Sequence, residues 1–253
     1  MNLKYYDLNV RWDPVFEDKL DLFSSLGWQG VCFTEKFSSV SKFGRFAKKI
    51  LEIKEKSPID IYVGAIVSKP IKKNARKALE MADIILAKNE NREASECWEV
   101  DILCSPESVA KKDFMNQRNS GIDHIMARFM ADRCIAIEIN FSEVLHSNGK
   151  QRSIILGRIS QNIKIARKYN TPLIITSGSN GIYDIRKSLD LISFGITLGM
   201  THKEAKNSIS ENPIRIIQKS MDRKNPNIIL KGLEVLDWGE IKKPEKKRMY
   251  GWY

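Results

Sequence analysis

The sequence predicts an α/β fold whose parallel sheet closes into a barrel. Short apolar runs rich in β-branched residues alternate with segments of helical periodicity, which is the pattern of successive strand–helix–strand units. Runs such as CIAIEI are apolar almost throughout, as in strands whose two faces are both covered. Seven such runs in about 175 residues favour a barrel over an open sheet, and 253 residues suffice for one barrel domain.

The predicted elements alternate along the chain and then become helical. The strands are residues 5–9, 28–34, 59–67, 83–88, 100–106, 134–141 and 172–177. Between them, helical spacing predicts helices over residues 13–26, 41–56, 72–82, 122–133 and 151–169. After residue 177 come helical stretches at 183–198, 202–208 and 213–221, and a last strand candidate from residue 227. We therefore expect an irregular barrel that extra helices close near the C-terminus.

A single barrel domain is predicted for residues 1–240, because no internal repeat or low-complexity linker divides the chain. Residues 241–253 are basic and aromatic without a core pattern, and we expect a flexible C-terminal tail there. No apolar run approaches the roughly 20 residues of a membrane span, and the N-terminus lacks the apolar core of a signal peptide. We expect a cytoplasmic protein without a membrane partner. The four cysteines form no C-x-x-C pair, which favours buried, reduced thiols.

Positive charge is concentrated in the second part of the chain. The net charge is +11, and residues 151–200 and 201–253 contribute +5 each. A basic half on an otherwise balanced domain indicates a polyanionic partner, with RNA or DNA favoured over a membrane surface. A generally basic proteome or a need for solubility would give the same charge.

Polar residues at the strand ends are the candidates for barrel chemistry, since barrel enzymes place catalytic groups there. The first strand ends in Asp7 and Asn9, and Glu35 and Glu138 follow later strands. A zinc or dinuclear hydrolase needs several imidazoles, but the three histidines form no His-x-His and none ends a strand. A Mg²⁺ site built from these acids is conceivable, whereas local hydrogen bonding at strand ends is the simpler interpretation.

The segment TSGSNG, residues 176–181, has the small residues of a nucleophile or phosphate loop before a helix. It lacks G-x-S-x-G, and no His or Lys is placed to act as its base. Backbone amides at a helix N-terminus could still bind phosphate there. A plain turn without function explains the composition equally well.

Basic residues around residues 117–133 are the remaining signal. Asp123 predicts a helix start, after which His124 and Arg128 share a face at i, i+4. Arg133 lies at the far end of that helix and Arg118 precedes it. Taken singly, each of these residues is typical of a solvent-exposed protein surface. Gathered at one end of a barrel, they would form a phosphate-binding surface.

Four segments, in this order, carry a resemblance to a known family. They are YYDLNV at residues 5–10, GIDHIMARFMADRCIAIEINFSEVL at 121–145, NIKIARKYNTPLIITSGS at 162–179 and DIRKSLDLISFGITLGMTHKEAKNSISENP at 184–213. Together they make the chain resemble archaeal ribonuclease P protein component 3 and its eukaryotic nuclear counterpart. The resemblance covers most of residues 1–220.

This resemblance implies a fold and a role. The family is similar to the polymerase-and-histidinol-phosphatase (PHP) barrels, so an irregular TIM-like α/β barrel is expected. The implied role is an accessory subunit of the ribonucleoprotein that removes the 5′ leader of precursor tRNA. Ribonuclease P RNA would perform the Mg²⁺-dependent hydrolysis, and this protein would support it together with component 2. No cofactor, metal or catalytic residue of its own is then expected.

The resemblance also suggests residues that face RNA. Combined with the helix pattern above, the predicted RNA-binding residues are Arg118, His124, Arg128, Arg133, Arg186 and Lys206. Asp190 is predicted to support Arg186 through an i, i+4 ion pair. Two alternatives remain open at this point: a metal-dependent phosphoesterase of the same barrel class, and a protein scaffold that does not contact RNA.

Overall fold

Most barrel strands form where the sequence is apolar and β-branched. The computed structural model describes residues 4–108, 112–113, 115–230, 232–240 and 242. Within these residues, seven parallel strands pair in sequential order. They are β1 (Tyr6–Arg11), β2 (Gly30–Lys36), β3 (Asp60–Val67), β4 (Ile84–Lys88), β5 (Ile102–Cys104), β6 (Ala136–Asn140) and β7 (Leu173–Thr176). All seven predicted strands are confirmed, and with them the TIM-like barrel.

Ten helices in the same residues cover and close the sheet. They are α1 (Leu20–Ser25), α2 (Val40–Lys54), α3 (Ile71–Ala78), α4 (Asn91–Glu96), α5 (His124–Asp132), α6 (Phe141–Leu145), α7 (Gly149–Tyr169), α8 (Ser188–Thr197), α9 (His202–Asn207) and α10 (Glu211–Lys224). The sequence did not predict α4 and α6, because five or six residues are too few to show a helical period.

Apolar side chains pack in two layers, one inside the barrel and one between the strands and the outer helices. Leu8, Ile84 and Ile174 belong to the inner layer, and Trp28 and Ile50 belong to the outer one. Both faces of the sheet are therefore covered, as the uniformly apolar strands predicted. The four cysteines are free thiols, and Cys32, Cys97 and Cys104 are buried as expected.

Residues after α9 close the barrel between β7 and β1. The backbone N–H of Ile175 donates to the carbonyl of Ser208 at 3.3 Å, and that of Tyr6 donates to the carbonyl of Ile209 at 2.9 Å. This irregular segment takes the place of an eighth strand. The expected extra helices near the C-terminus are confirmed as α9 and α10, but the closing contacts come from the segment between them and not from a helix.

Helix α10 packs against the barrel where β4, β5 and β6 begin. Arg223 donates two hydrogen bonds of 2.9 Å to the carboxylate of Asp101, and Lys219 Nζ lies 3.1 Å from the same carboxylate. All three side chains are at least 94% buried. At the helix end, Lys224 Nζ pairs with Asp83 at 2.5 Å. Three of the basic residues in this part of the chain therefore hold the fold together.

The residues after α10 form a short antiparallel pair, β8 (Ile228–Leu230) and β9 (Leu233–Glu234), separate from the barrel sheet. The predicted tail at 241–253 lies outside the described residues except for Lys242. The division into one domain and a tail stays a prediction. No helix in the described part of the chain is long and apolar enough to cross a membrane.

Candidate nucleic-acid interface

Polar residues at the barrel mouth bind one another. Asn9 Nδ2 donates to Glu138 Oε1 at 2.6 Å, and Thr176 Oγ1 donates to the same oxygen at 2.6 Å. Thr34 Oγ1 donates to Asn9 Oδ1 at 3.0 Å. Two of the side chains that the phosphoesterase alternative would use as ligands, Asn9 and Glu138, are therefore bonded to each other and to Thr34 and Thr176 across β1, β2, β6 and β7.

Asp7 joins this network from the first strand. Its carboxylate accepts backbone N–H bonds from Ser177, at 3.2 and 3.3 Å, and from Asn9, at 3.3 Å. Burial raises the pKa of Asp7 to about 7, although these hydrogen bonds act in the opposite direction. No group of three or more His, Cys, Asp or Glu in the described residues is arranged to hold a metal ion.

A cavity of about 370 Å³ nevertheless remains at the mouth, with Lys88, Ser105, Glu138 and Glu143 among its lining residues. Lys88 Nζ pairs with Glu143 at 3.1 Å across it. Glu138 Oε2 and Ser105 Oγ are buried and have no hydrogen-bond partner in the described part of the chain. The mouth is thus polar and mainly internally bonded, with Lys88 neutralised by a neighbouring acid.

The TSGSNG segment is not the phosphate loop that its composition allowed. Its amides at Ser177, Ser179 and Asn180 already donate to Asp7, to Ser177 Oγ and to Asp184. The next helical residues form only a 3₁₀ turn, and α8 begins at Ser188. Because these three amides are used and no long helix starts here, the segment is a structural turn at the end of β7.

A larger groove, of about 490 Å³, lies on the outside of the barrel between α5 and the C-terminal half of α7. Two predicted residues, Arg118 and His124, line it. Lys168 and Tyr169 of α7 and the amide side chain of Gln161 complete its polar wall. We call this feature the α5–α7 groove. Sequence reasoning missed Tyr169 and Gln161, because nothing local links them to residues 40 positions earlier.

Local sequence fixes the entrance of the groove. Asp123 caps α5 by accepting the backbone N–H of Met126 at 2.7 Å, as the helix-start signal predicted. Gly121 has φ +81°, and a Cβ there would lie 2.0 Å from the carbonyl oxygen of Pro106, so only glycine fits. Asn91 Nδ2 donates to the carbonyls of both Pro106 and Gly121, which holds this turn beneath the groove.

Cations surround the tyrosine ring at the end of the groove. The guanidinium of Arg128 lies 5.4 Å from the Tyr169 ring centre, and the ammonium of Lys168 lies 5.5 Å from it. Arg118 pairs with Asp113 at 3.1 Å, and its side chain is 48% exposed. A Cβ at Gly157 would lie 3.0 Å from Arg118 Nε, so glycine lets the guanidinium approach α7.

The other predicted residues lie outside the groove. Arg133 ends α5, stacks 5.1 Å from the Phe129 ring centre and donates to the carbonyl of Ser95. Arg186 donates to the carbonyls of Tyr183 and Ile185 at 2.7 and 2.9 Å. Lys206 is half-buried in α9. The structure therefore groups Arg118, His124 and Arg128, and leaves Arg133, Arg186 and Lys206 on separate elements.

Asp190 does not pair with Arg186 among the described ion pairs. The i, i+4 argument required both residues on one helix, but α8 begins at Ser188, after Arg186. Arg186 instead satisfies backbone carbonyls and lies 5.6 Å from the Phe141 ring centre. The described residues therefore show no ion pair between Arg186 and Asp190, and a supporting role for Asp190 stays a prediction.

Comparison with known proteins agrees with this structure. The family model described as RNase P subunit p30 matches residues 4–225. Ribonuclease P protein component 3 of Methanococcus maripaludis is 30% identical over 92% of this chain and 97% of its own length. The component 3 protein of Methanosarcina barkeri is 29% identical over 94% of this chain and 98% of its own length.

A solved structure resembles the whole barrel. One chain of a cryo-EM structure of archaeal ribonuclease P with mature tRNA superposes with a TM-score of 0.76 at 27% identity. The match covers 93% of this chain and 99% of that one. The family model spans most of the sequence and the fold agrees over nearly the same length. The chain therefore belongs to the RNase P subunit p30 family.

Proposed function

We propose that this chain is a protein subunit of ribonuclease P, the ribonucleoprotein that removes the 5′ leader of precursor tRNA, and that it binds and supports the catalytic RNA. Its membership of the RNase P subunit p30 family carries the proposal. The similarity to a chain of archaeal ribonuclease P with mature tRNA supports it. Its partners are then ribonuclease P RNA, precursor tRNA and the other protein subunits, component 2 among them.

The α5–α7 groove is the part of the surface we assign to RNA. In the described residues Arg128 has no carboxylate partner, and Arg118, His124 and Lys168 stand exposed around the same opening. Arg and Lys contacts to phosphates supply most sequence-independent affinity for RNA. An aromatic ring beside them offers a surface on which an unpaired base can stack.

Arg133, Arg186 and Lys206 contribute single contacts outside the groove in this proposal. Arg133 and Arg186 each bond to a backbone carbonyl and face an aromatic ring, so their guanidinium planes are held in place. A held guanidinium loses little side-chain entropy when it meets a phosphate. Asp190, exposed on α8, has no assigned contact to RNA.

The catalytic metal belongs to the RNA in this proposal. Mg²⁺ is held by the RNA subunit, and the barrel contributes neither a metal ligand nor a catalytic residue. The hydrogen bonds among Asn9, Thr34, Glu138 and Thr176 support a structural role for the mouth. We place the reaction in the cytoplasm, where precursor tRNA is available.

A triple variant tests the assignment of the groove. Arg118→Gln, Arg128→Gln and Lys168→Gln remove three exposed charges. Binding of the chain with component 2 to ribonuclease P RNA is measured over a range of KCl concentrations. The plot of log K against log[salt] has a negative slope, and each lost phosphate contact should reduce the magnitude of that slope by about 0.7 to 0.9.

A matched control removes the same charge elsewhere. Lys4→Gln, Lys150→Gln and Arg215→Gln are exposed and lie on three separate parts of the chain. We expect the magnitude of the salt slope to be smaller for the groove variant than for this scattered control. Equal slopes in the two variants would refute the assignment of the groove to RNA.

A further inference from the structure

A second basic surface lies on the N-terminal half of the barrel. Residues 40–78 contain eleven Lys and Arg against three Asp and Glu, a net charge of +8. Acidic residues before and after this segment hide the excess when charge is summed over longer stretches. Helices α2 and α3, which the segment contains, pack over β2, β3 and β4 and touch each other.

Six exposed cations form this surface, which we call the α2–α3 face. They are Lys42, Arg45, Lys48, Lys72, Lys73 and Lys77. Their helices turn buried apolar residues such as Phe43, Ile50 and Ile71 towards the sheet. The cations therefore occupy the outer side of each helix.

None of these six cations has an ion pair within the described residues. Their neighbours differ: Lys49 pairs with Glu17 at 2.8 Å and Arg76 pairs with Glu99 at 2.5 Å. Like charges at i, i+4, such as Lys73 and Lys77, destabilise a helix. The chain thus keeps a cluster of like charges whose side chains form no ion pair within the described residues.

Several cations in the C-terminal half of the chain differ from those of the α2–α3 face, because they form ion pairs within the protein. Lys219, Arg223 and Lys224 bind Asp101 and Asp83, and Arg167 binds Glu204 at 2.7 and 2.8 Å. Those charges stabilise contacts within the protein. The α2–α3 face has no such internal use, so an external anion is the partner its charge fits.

A groove beside the face offers depth as well as charge. It has a volume of about 440 Å³ between α1 and α2, and Arg45, Lys48, Lys49 and Lys56 line it. Glu17 and Glu52 are its acidic lining residues, and Glu17 is already paired with Lys49. A chain of regularly spaced negative charges can follow such a surface, whereas a single small anion would use only part of it.

We infer that the α2–α3 face binds a second stretch of RNA backbone, separate from the one in the α5–α7 groove. The inference rests on the proposed function. In the barrel, α2 and α3 connect strands β2 to β4, whereas α5 and α7 connect strands β5 to β7. The barrel is then held between two phosphate backbones of the same ribonucleoprotein.

Two triple variants test the second surface. One carries Lys42→Gln, Arg45→Gln and Lys48→Gln, and the other carries Lys72→Gln, Lys73→Gln and Lys77→Gln. Each is assembled with component 2 and ribonuclease P RNA, and the salt dependence of binding is compared with that of the scattered control Lys4→Gln, Lys150→Gln and Arg215→Gln. Thermal unfolding and binding to component 2 without RNA are measured for every variant.

We expect at least one of the two triple variants to lower the salt slope by about 1 or more relative to the control, since each phosphate contact contributes about 0.7 to 0.9. Unfolding temperature and binding to component 2 should not change. If only the variant of the α5–α7 groove (Arg118→Gln, Arg128→Gln and Lys168→Gln) lowers the slope, the assignment of the α2–α3 face to RNA is wrong and the proposed function stands. If no variant lowers it, the proposed function fails as well. Lost binding to component 2 with an unchanged slope would make the face a protein interface and overturn the inference.

Discussion

The buried ion cluster under α10 gives the sharpest stability prediction. Asp101→Ala removes the carboxylate that two Arg223 hydrogen bonds and Lys219 share, and that also accepts the backbone N–H of Ile85 at 2.9 Å. Although burial alone would raise the pKa of Asp101, the charges of Arg223 and Lys219 lower it. The carboxylate is therefore ionised at neutral pH, and its loss leaves two buried cations without a counter-charge.

The expected cost is large relative to the stability of a domain. Removing one partner of a buried ion pair costs about 3 to 5 kcal/mol, because the remaining charge is left desolvated. Lys219 can reduce this cost by losing its proton, since burial already lowers its pKa. Arg223 cannot, and its side chain is 1% exposed. We expect a loss of about 3 kcal/mol or more from a total of about 5 to 15 kcal/mol.

Urea denaturation at pH 7, followed by circular dichroism, measures this loss. Glu211→Ala is the control, because its pair with Arg215 spans 4.0 Å between exposed side chains. Such surface pairs contribute about 0 to 1 kcal/mol. If Asp101→Ala destabilises the protein by less than about 1 kcal/mol, the cluster does not hold α10, and the structural use of the C-terminal charge is refuted.

Three further predictions concern the mouth and the surface. Folding raises the pKa of Asp7 from 3.8 to about 7, so the folded state binds an extra proton between these pH values, and the wild-type free energy of unfolding should fall as pH rises across that interval. Asp7→Asn should flatten this pH dependence. If the free energy of unfolding changes equally with pH in wild type and variant, in denaturation series at pH 4 to 8, the prediction is contradicted. Gly178→Ala should destabilise the chain by about 1 kcal/mol or more, since φ is +58° and the new Cβ would lie 2.1 Å from Asn140 Oδ1; a melting temperature equal to wild type would show that the turn adapts. Glu204→Ala should cost about 1 to 2 kcal/mol, because its pair with Arg167 is largely exposed to solvent and its bonds to Thr201 in the capping box of α9 are lost as well. A loss above about 3 kcal/mol in urea would contradict that expectation.

The barrel could be predicted from sequence because its signals are local. Apolar strands such as β4 and the cap residue Asp123 follow directly from composition and spacing. Helices α4 and α6 are too short to produce a period, so their formation depends on the strands around them. Closure by Ser208 and Ile209 was predicted only as helical closure, because backbone pairing of an irregular segment leaves no side-chain pattern.

The candidate site was predictable only in part, because charge alone does not show which ions are paired. Residue counts pointed to the C-terminal half, where Lys219 and Arg223 proved to be internal. Helical spacing did identify His124 and Arg128 as neighbours, and the structure places Tyr169 beside them. Finding that ring required the packing of α5 against α7, which arises between residues far apart in sequence.

Cleavage of precursor tRNA by defined mixtures tests the central claim most directly. The chain, purified free of nucleic acid, is assayed alone over a range of Mg²⁺ and Mn²⁺ concentrations, and again with ribonuclease P RNA and component 2. Our account predicts no cleavage by the chain alone, and a lower Mg²⁺ requirement when the chain joins the RNA and component 2. Metal-dependent cleavage by the chain alone that Glu138→Ala abolishes would contradict it.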